Sequence, residues 1–358
     1  MATYYVDGAM GDDGNVGTSE GSGNAWATID KAMNTVAAGD IVFVKSSATY
    51  TEQPVIDTAG TVTAPILFVG YTTTANRTDR GKVTIDAEAT RANCISDLIS
   101  GTGAYVFENF IFANATGHGV SLAGVNQMTF RNCEFNSNGS DGLSMGNGLM
   151  AESCSFTSNT GDGADVGTAS QLHGCWFESN GGAGVNIDWG FIVGSVFYDT
   201  GNGAINFTGS NGFPCGVVNC TIDGNEKNTT TGIIFPASFW GPYVAINNII
   251  YDCSTGISGH DNGGGRFIGR NNLLNSNTTD YDNAGYETLV GEVTGAPAFT
   301  DEAANDYTLG AGSPALNAGF DGYETGGTTQ RADIGAFEST AAGGGGGGVS
   351  PSKRAGKQ

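Results

Sequence analysis

Phe130-Arg131-Asn132-Cys133-Glu134-Phe135 decides how this chain of 358 residues is read, because variants of it keep returning. Upstream stands Phe107-Glu108-Asn109-Phe110-Ile111-Phe112. Downstream come Ala151-Glu152-Ser153-Cys154-Ser155-Phe156, Leu172-His173-Gly174-Cys175-Trp176-Phe177 and Val193-Gly194-Ser195-Val196-Phe197. The closing phenylalanines step by 23, 21, 21 and 20 residues, and looser copies ending at Ile222 and Ile250 follow after steps of 25 and 28. Behind each copy lies a second block: Gly117-His118-Gly119-Val120-Ser121-Leu122, Ser140-Asp141-Gly142-Leu143-Ser144-Met145, Gly161-Asp162-Gly163-Ala164-Asp165-Val166 and Gly182-Ala183-Gly184-Val185-Asn186-Ile187. Apolar and polar residues alternate there, the period-2 pattern of a strand with one buried face.

Each unit therefore holds a few short strands joined by glycine turns, with no helical stretch between them. Strand-helix-strand folds are excluded, and coils that stack on their own copies remain. The expected fold is all-β, a single-stranded right-handed parallel β-helix, or solenoid. Stacked coils place equivalent residues about 4.8 Å apart, so columns can be read. Phe112, Phe135, Phe156, Phe177 and Phe197 form an aromatic column; Cys133, Cys154 and Cys175, with Cys220 later, form a small buried one. Thiol ligands to a metal must converge, whereas these alternate inward, so the cysteines are read as packing. Asn109, Asn132, Ser153, Gly174, Gly194 and Asn219 form a turn column, its asparagine amides expected to bond along the stack.

Composition agrees. The chain has 59 glycines, and only 14% of its residues are charged. Net charge is −22, and residues 1–352 hold 11 basic against 36 acidic side chains, net −25. A body this acidic repels nucleic acid and anionic membranes, and disfavours polyanionic sugars unless Ca²⁺ inverts the local field. The seven cysteines are odd in number, with no Cys-x-x-Cys pair, so no disulfide framework is expected. Residues 1–8 lack the basic and apolar regions of a signal peptide, and no apolar run reaches membrane-spanning length. A leader removed earlier, or release without one as for a virion component, fits this start.

A solenoid must cover its ends. Trp26, Ile29, Ala32, Met33 and Val36 recur at helical spacing before Ala38-Gly39-Asp40, which predicts an amphipathic N-terminal cap helix over 26–36. The chain then divides into an N-terminal strand and cap helix (1–40), β-helix coils (41–275), C-terminal coils with a closing segment (276–340), a glycine linker (341–348) and a basic tail (349–358). Tyr4-Tyr5-Val6-Asp7-Gly8, Trp26-Ala27-Thr28-Ile29 and Ala38-Gly39-Asp40-Ile41-Val42-Phe43-Val44 resemble the start of pectate-lyase-like right-handed β-helix repeat proteins of the bacterial and phage surface type. Ser313-Pro314-Ala315-Leu316-Asn317-Ala318-Gly319 and Asp333-Ile334-Gly335-Ala336-Phe337-Glu338 are similar to the closing segment of many bacterial members. The resemblance covers most of residues 1–340 and implies the fold; that superfamily includes lyases, hydrolases, epimerases, adhesins and phage surface proteins.

Its polysaccharide-cleaving members carry their site on the outer face of one parallel sheet, lyases with Ca²⁺-binding carboxylates beside an Arg or Lys base, hydrolases with paired aspartates. Here the column before the second strand reads His118, Asp141, Asp162, Ala183, and outward strand positions read Ser121, Ser144, Asp165, Asn186. Asp141, Asp162 and Asp165 are the candidate catalytic residues and equally the candidate Ca²⁺ ligands. His118, Asp188 and Trp189 are the candidate substrate contacts. Carboxylates one coil apart fall within the separations that glycoside hydrolysis uses. Against this, Asp-Gly pairs are ordinary turn chemistry, and no Arg or Lys aligns with the column. Gly117-His118-Gly119 resembles the Gly-His-Gly of polygalacturonases, whose Asn-Thr-Asp and Arg-Ile-Lys have no counterpart here. Solvated turn aspartates, a Ca²⁺ site and catalytic carboxylates stay open, and no cofactor is required.

Two functions follow. The first is a non-catalytic structural or glycan-binding β-helix on a virion or cell surface, a decoration or fibre protein. Its hexaglycine tether and Lys353, Arg354 and Lys357 would dock it to a capsid or other surface protein. The alternative is a polysaccharide lyase or glycoside hydrolase acting on the outer face. A homotrimer is compatible with either.

Overall fold

The computed structural model describes residues 1–209, 213–226, 228, 231–236, 241–259, 266–282, 287–320 and 332–338. Lys353, Arg354 and Lys357 lie outside them. The chain divides into two compact units, Met1–Ser170 and Gln171–Gln358. Strands dominate both, and among the described residues no helix is long and apolar enough to cross a membrane.

In the first unit, one parallel sheet runs through Thr3–Asp7, Ile41–Lys45, Ile66–Tyr71, Tyr105–Glu108, Thr129–Arg131 and Met150–Glu152. A second holds Val83–Asp86, Phe110–Ala113, Glu134–Asn136 and Ser155–Thr157. Val120–Leu122, Leu143–Met145 and Ala164–Val166 form a third. Because register follows the repeat, like stacks on like. Phe112, Phe135 and Phe156 lie with centroids 5.1 and 4.7 Å apart, and Phe107 and Phe130 at 5.6 Å. Such stacked pairs contribute about 0.5–1.5 kcal/mol each beyond the area they bury.

The corner between first and second sheets is one residue in the left-handed region, at Asn109 (φ 65°), Asn132 (φ 50°) and Ser153 (φ 53°). Asparagine tolerates this conformation better than most side chains. Its amide also works along the stack, Asn132 Nδ2 donating to Asn109 Oδ1 at 2.8 Å. The helix is shorter than its spacing predicts, spanning Ile29–Met33 with Thr28 as N-cap. Trp26 is drawn instead into a bridge with Val6 and stacks on Tyr4 at 4.7 Å.

The second unit repeats the plan. Gly190–Val193, Cys215–Val218, Pro242–Ile246, Arg266–Arg270 and Glu287–Val290 pair in parallel. So do Trp176–Glu178, Val196–Tyr198, Thr221–Asp223, Ile249–Tyr251 and Leu273–Asn275. Val185–Ile187, Ile205–Phe207, Thr231–Phe235, Thr255–Gly259 and Thr279–Asp282 complete it. Gly174, Gly194, Asn219, Asn247 and Asn271 hold the corner at positive φ. Asn219 keeps a buried Oδ1 without a hydrogen bond among the described residues. Its neighbour Gly194 has no side chain, and the Asn247 amide is diverted to both backbone groups of Phe320.

That diversion marks a C-terminal strap. Phe299–Asp301 and Asp306–Leu309 form an antiparallel pair. Tyr307, Ala336 and Phe337 then pack on Val196, while Ala315 and Ile334 pack on Ile249 and Leu273. The outer face of the strands beginning at 196, 221, 249 and 273 is thereby closed, and Ala336 N donates to Thr221 Oγ1 at 3.0 Å.

All seven cysteines are buried, and none is in a disulfide. Burial pushes the thiols of Cys94 and Cys220 up to about 12 and Cys215 to about 11. The cysteine column is packing, as its inward alternation implies.

Candidate functional site

His118 and Asp141 occupy the turn that feeds the third sheet of the first unit. Asp141 follows Ser140 into Gly142-Leu143, and its backbone carbonyl accepts Gly119 N at 3.0 Å, fixing one turn over the next. Its carboxylate is committed twice. Oδ1 accepts the Asp162 backbone N–H at 2.8 Å, and Oδ2 lies 3.1 Å from His118 Nδ1. A Cβ at Gly161 would meet Oδ1, so a side chain there would push the carboxylate out of this position. The ring N–H is not aimed squarely at Oδ2, so the contact is an ion pair by distance without a well-aligned hydrogen bond. The Asp141 contact holds the imidazole pKa above its ordinary value against the opposing effect of burial, with Asp165 adding a smaller electrostatic pull.

Asp165 stands in the outward row with Ser121 and Ser144, strand against strand in register. The structure therefore brings together His118, Asp141 and Asp162 through the turn, with Asp165 near enough to be felt. It does not assemble a calcium cage: among the described residues no three His, Cys, Asp or Glu side chains converge as ligands. Ca²⁺ takes six to eight oxygens, and both Asp141 oxygens already face donors. The group can hold a proton on His118 and fix the turn.

Arg131 ends the strand Thr129–Arg131. It pairs with Glu152 at 2.5 Å and with Glu108 at 3.2 Å, and Arg77 pairs with Glu108 from the other side. Glu108 is only 6% exposed, so two guanidiniums enclose a nearly buried carboxylate. This ladder is structural, and its arginines are spent on it.

Asp188 and Trp189 belong to the second unit. Asp188 Oδ1 accepts Thr208 Oγ1–H at 3.0 Å. Trp189 stacks on Phe213 at 4.6 Å, and Phe213 is half exposed. Two residues on, Phe191 points outward and is 36% exposed. It faces Gly216 across the strand pair, where an added Cβ would sit 2.6 Å from two carbons of the phenylalanine ring, so the ring occupies the space a side chain at 216 would take. Reading the turn aspartates alone passes over Phe191, Phe213 and Gly216. Their signal is the outward strand position, which changes from Glu108, Arg131 and Glu152 to Val193, Val218 and Ile246.

A second group of acids lies under the strap. Asp223 is 2% exposed and accepts Tyr307 Oη–H at 2.8 Å and Asn225 N–H at 2.9 Å. Burial raises its pKa, and Asp252 and Asp199 add like-charge repulsion. Glu302 is raised in the same way, by burial first and then by Asp223 and Asp252. Tyr307, Phe299 and the sheet close over Asp223, which makes it a strap anchor shut off from a polymer.

Comparison with known proteins agrees with this architecture. Residues 90–226 match the family model of a right handed beta helix region. No curated protein matches the chain in sequence. Among solved structures, pectate lyase Pel9A superposes with a TM-score of 0.53 at 16% identity, over 94% of this chain and 96% of its own. An alginate lyase from Paenibacillus sp. str. FPU-7 gives 0.54 at 13% identity, over 75% and 96%. Identities this low speak to fold alone, and on repeat, register and likeness together the chain is a right-handed parallel β-helix protein.

Proposed function

We propose that this chain is a non-catalytic, glycan-binding β-helix displayed on a virion or cell surface. The observation that carries the reading is the state of Asp141, the centre of the acidic column. Its two oxygens are held by the Asp162 backbone and by His118. A carboxylate engaged on both sides in turn-to-turn contacts is part of the scaffold, and a general acid or base must instead reach a substrate proton. Among the described residues the arginine nearest this column in sequence, Arg131, is bound into ion pairs with Glu108 and Glu152.

The fold of two polysaccharide lyases supports a carbohydrate partner, and an exposed aromatic group in the second unit gives it a surface. Attachment to a capsid or other surface protein through Lys353, Arg354 and Lys357 belongs to the same proposal, as does an extracellular or virion location. The test pairs two assays on one preparation: glycan binding, and release of reducing or unsaturated ends from acidic and neutral polysaccharides with and without Ca²⁺. Binding without product is expected. Turnover abolished by Asp141→Asn would replace this reading with the lyase or hydrolase one. Deleting residues 343–358 should free the protein from virions or cell envelopes, and retention after that deletion would remove the tail from the proposal.

A further inference from the structure

We infer that the outer face of the second unit carries a binding platform for a neutral glycan, built on the exposed ring of Phe191 and the stacked pair Trp189 and Phe213. The inference rests on the glycan-binding reading and adds where the sugar lies and which class it belongs to.

Three observations lead to it. First, the platform is built: Phe191 lies over Gly216 in a space that any side chain there would fill, with Val244 closing the far side of that glycine. The ring is held against the glycine and is still 36% exposed, so part of it faces solvent. Second, the ring is one of a group. Trp189 lies two residues before it, at the bend that leads into Gly190–Val193, and Phe213 stacks on it with ring centroids 4.6 Å apart. Clustered exposed aromatics mark binding surfaces, where single ones do not. Third, polar groups edge the rings. His173 lies opposite Val193, since Gly174 N donates to Val193 O at 2.9 Å, which puts Gln171 beside Phe191. Gln171 Oε1 and His173 Nε2 are 3.3 Å apart, and Asp188 with Thr208 edges the Trp189 side.

A pyranose meets these demands: its axial C–H face stacks on an aromatic ring while its equatorial hydroxyls reach amide, imidazole and carboxylate at the rim. Charge selects among sugars. Residues 171–338 contain 4 basic and 18 acidic side chains, net −14, so a polyuronate is repelled and an uncharged chain is not. A protein partner would also accept the aromatics but would cover the aliphatic row at Val218 and Ile246 as well, which makes a second copy of this chain the competing occupant.

The experiment titrates the full chain with cello-, manno- and xylo-hexasaccharides, and separately with polygalacturonate and alginate, at low and high salt. Tryptophan is replaced by 5-fluorotryptophan for ¹⁹F NMR, and the Trp189 resonance is identified by its absence in Trp189→Phe. A neutral hexasaccharide is expected to shift that resonance and to bind with little dependence on salt. Phe191→Ala should weaken binding at least about tenfold, roughly the 1.4 kcal/mol of a lost stacking contact. Gly216→Ala, which lifts the ring without removing it, should do likewise, with the melting temperature of both variants near that of wild type. If wild type binds neutral glycans and both variants bind equally well, the platform is wrong while the glycan-binding reading stands. Binding of polyuronates alone overturns the neutral class. No binding of any glycan fells both readings. Conversion of an oligomeric wild type into monomers by Phe191→Ala, followed by light scattering, assigns the face to a second copy and overturns the platform.

Discussion

The same kind of strand carries opposite surfaces in the two units. At Tyr105–Glu108, Thr129–Arg131 and Met150–Glu152 the outward residue nearest the corner is Glu108, Arg131 and Glu152, an alternating ladder extended by Arg77. At Gly190–Val193, Cys215–Val218 and Pro242–Ile246 it is Val193, Val218 and Ile246, with Phe191 lying on Gly216 beside them. The inward residues are apolar and buried in both, aromatic at Phe107 and Phe130 in one and aliphatic at Ile192, Val217 and Ala245 in the other. In a stacked fold the core column must match from coil to coil, whereas the outward column is free to change with the partner it faces. One face closes its own charges, and the other leaves apolar surface open.

The largest expected effect tests the common core. Phe135→Ala in the first unit and Phe177→Ala in the second each remove a ring from a tight stack, at 4.7 Å from Phe156 and 4.5 Å from Phe197. Each should cost about 3–5 kcal/mol in denaturant unfolding; a marked inequality would mean that the two cores are not built alike. Next, Glu108→Ala strips the buried carboxylate from between Arg77 and Arg131 and should cost about 1–3 kcal/mol, less than a fully buried pair because both arginines are partly exposed. Its counterpart, Val244→Thr on the open face, should change stability by no more than about 0.5 kcal/mol. Equal losses in these two variants would erase the contrast between the faces.

Titration sharpens the comparison further. Asp223, with its pKa raised in the fold by burial, binds its proton more tightly folded than unfolded. The contribution of this buried carboxyl to stability is therefore largest at acid pH and falls as pH rises from the ordinary carboxylate range through the folded value, although the Tyr307 hydrogen bond itself favours the ionised form. His118 is raised by its contact with Asp141. Its contribution is complete below the unfolded imidazole value of about 6.5 and fades as pH climbs past the folded one. Melting curves from pH 4 to 8 should show Asp223→Asn differing from wild type most at the neutral end. His118→Gln should show its full deficit below about pH 6.5 and lose it only as pH climbs past the raised folded value. A His118→Gln deficit that is flat with pH would deny the ion pair. The smallest effect is that of salt: the exposed pair Arg91 with Glu88 should be silent to Arg91→Ala within about 0.5 kcal/mol.

Much of this was legible in the sequence because the repeat is a register. Once the phenylalanine steps are known, neighbours follow: the Phe112, Phe135 and Phe156 stack, the left-handed corner at Asn109 and Asn132, and the outward row Ser121, Ser144 and Asp165 all lie where the alignment places them. The closing segment was legible as a segment, and Ala315, Ile334 and Ala336 are buried as its apolar pattern implies. Which face it closes was not. Tyr307 reaches Asp223 across 84 positions and Ala336 reaches Thr221 across 115, contacts that no local period encodes. At the candidate site, alignment placed His118 and Asp141 together but could not reveal that the second Asp141 oxygen is taken by backbone, because that depends on the turn path past Gly161. The platform escaped for a related reason. Phe191 differs from ordinary exposed phenylalanine only through the glycine beneath it, and that glycine sits in a coil lengthened by inserted residues.

Seven thiols lie buried in the coil interior, burial suppressing the ionisation of Cys94, Cys133, Cys215, Cys220 and Cys253, and none is in a disulfide. The fold thus owes nothing to the electron supply around it: it can be completed in a reducing cytosol and carried into an oxidising exterior without a bond being made or broken. A particle assembled inside a cell and released by lysis crosses that boundary once, abruptly. A protein fastened by disulfides would be unfinished on one side of it, and this one is the same on both.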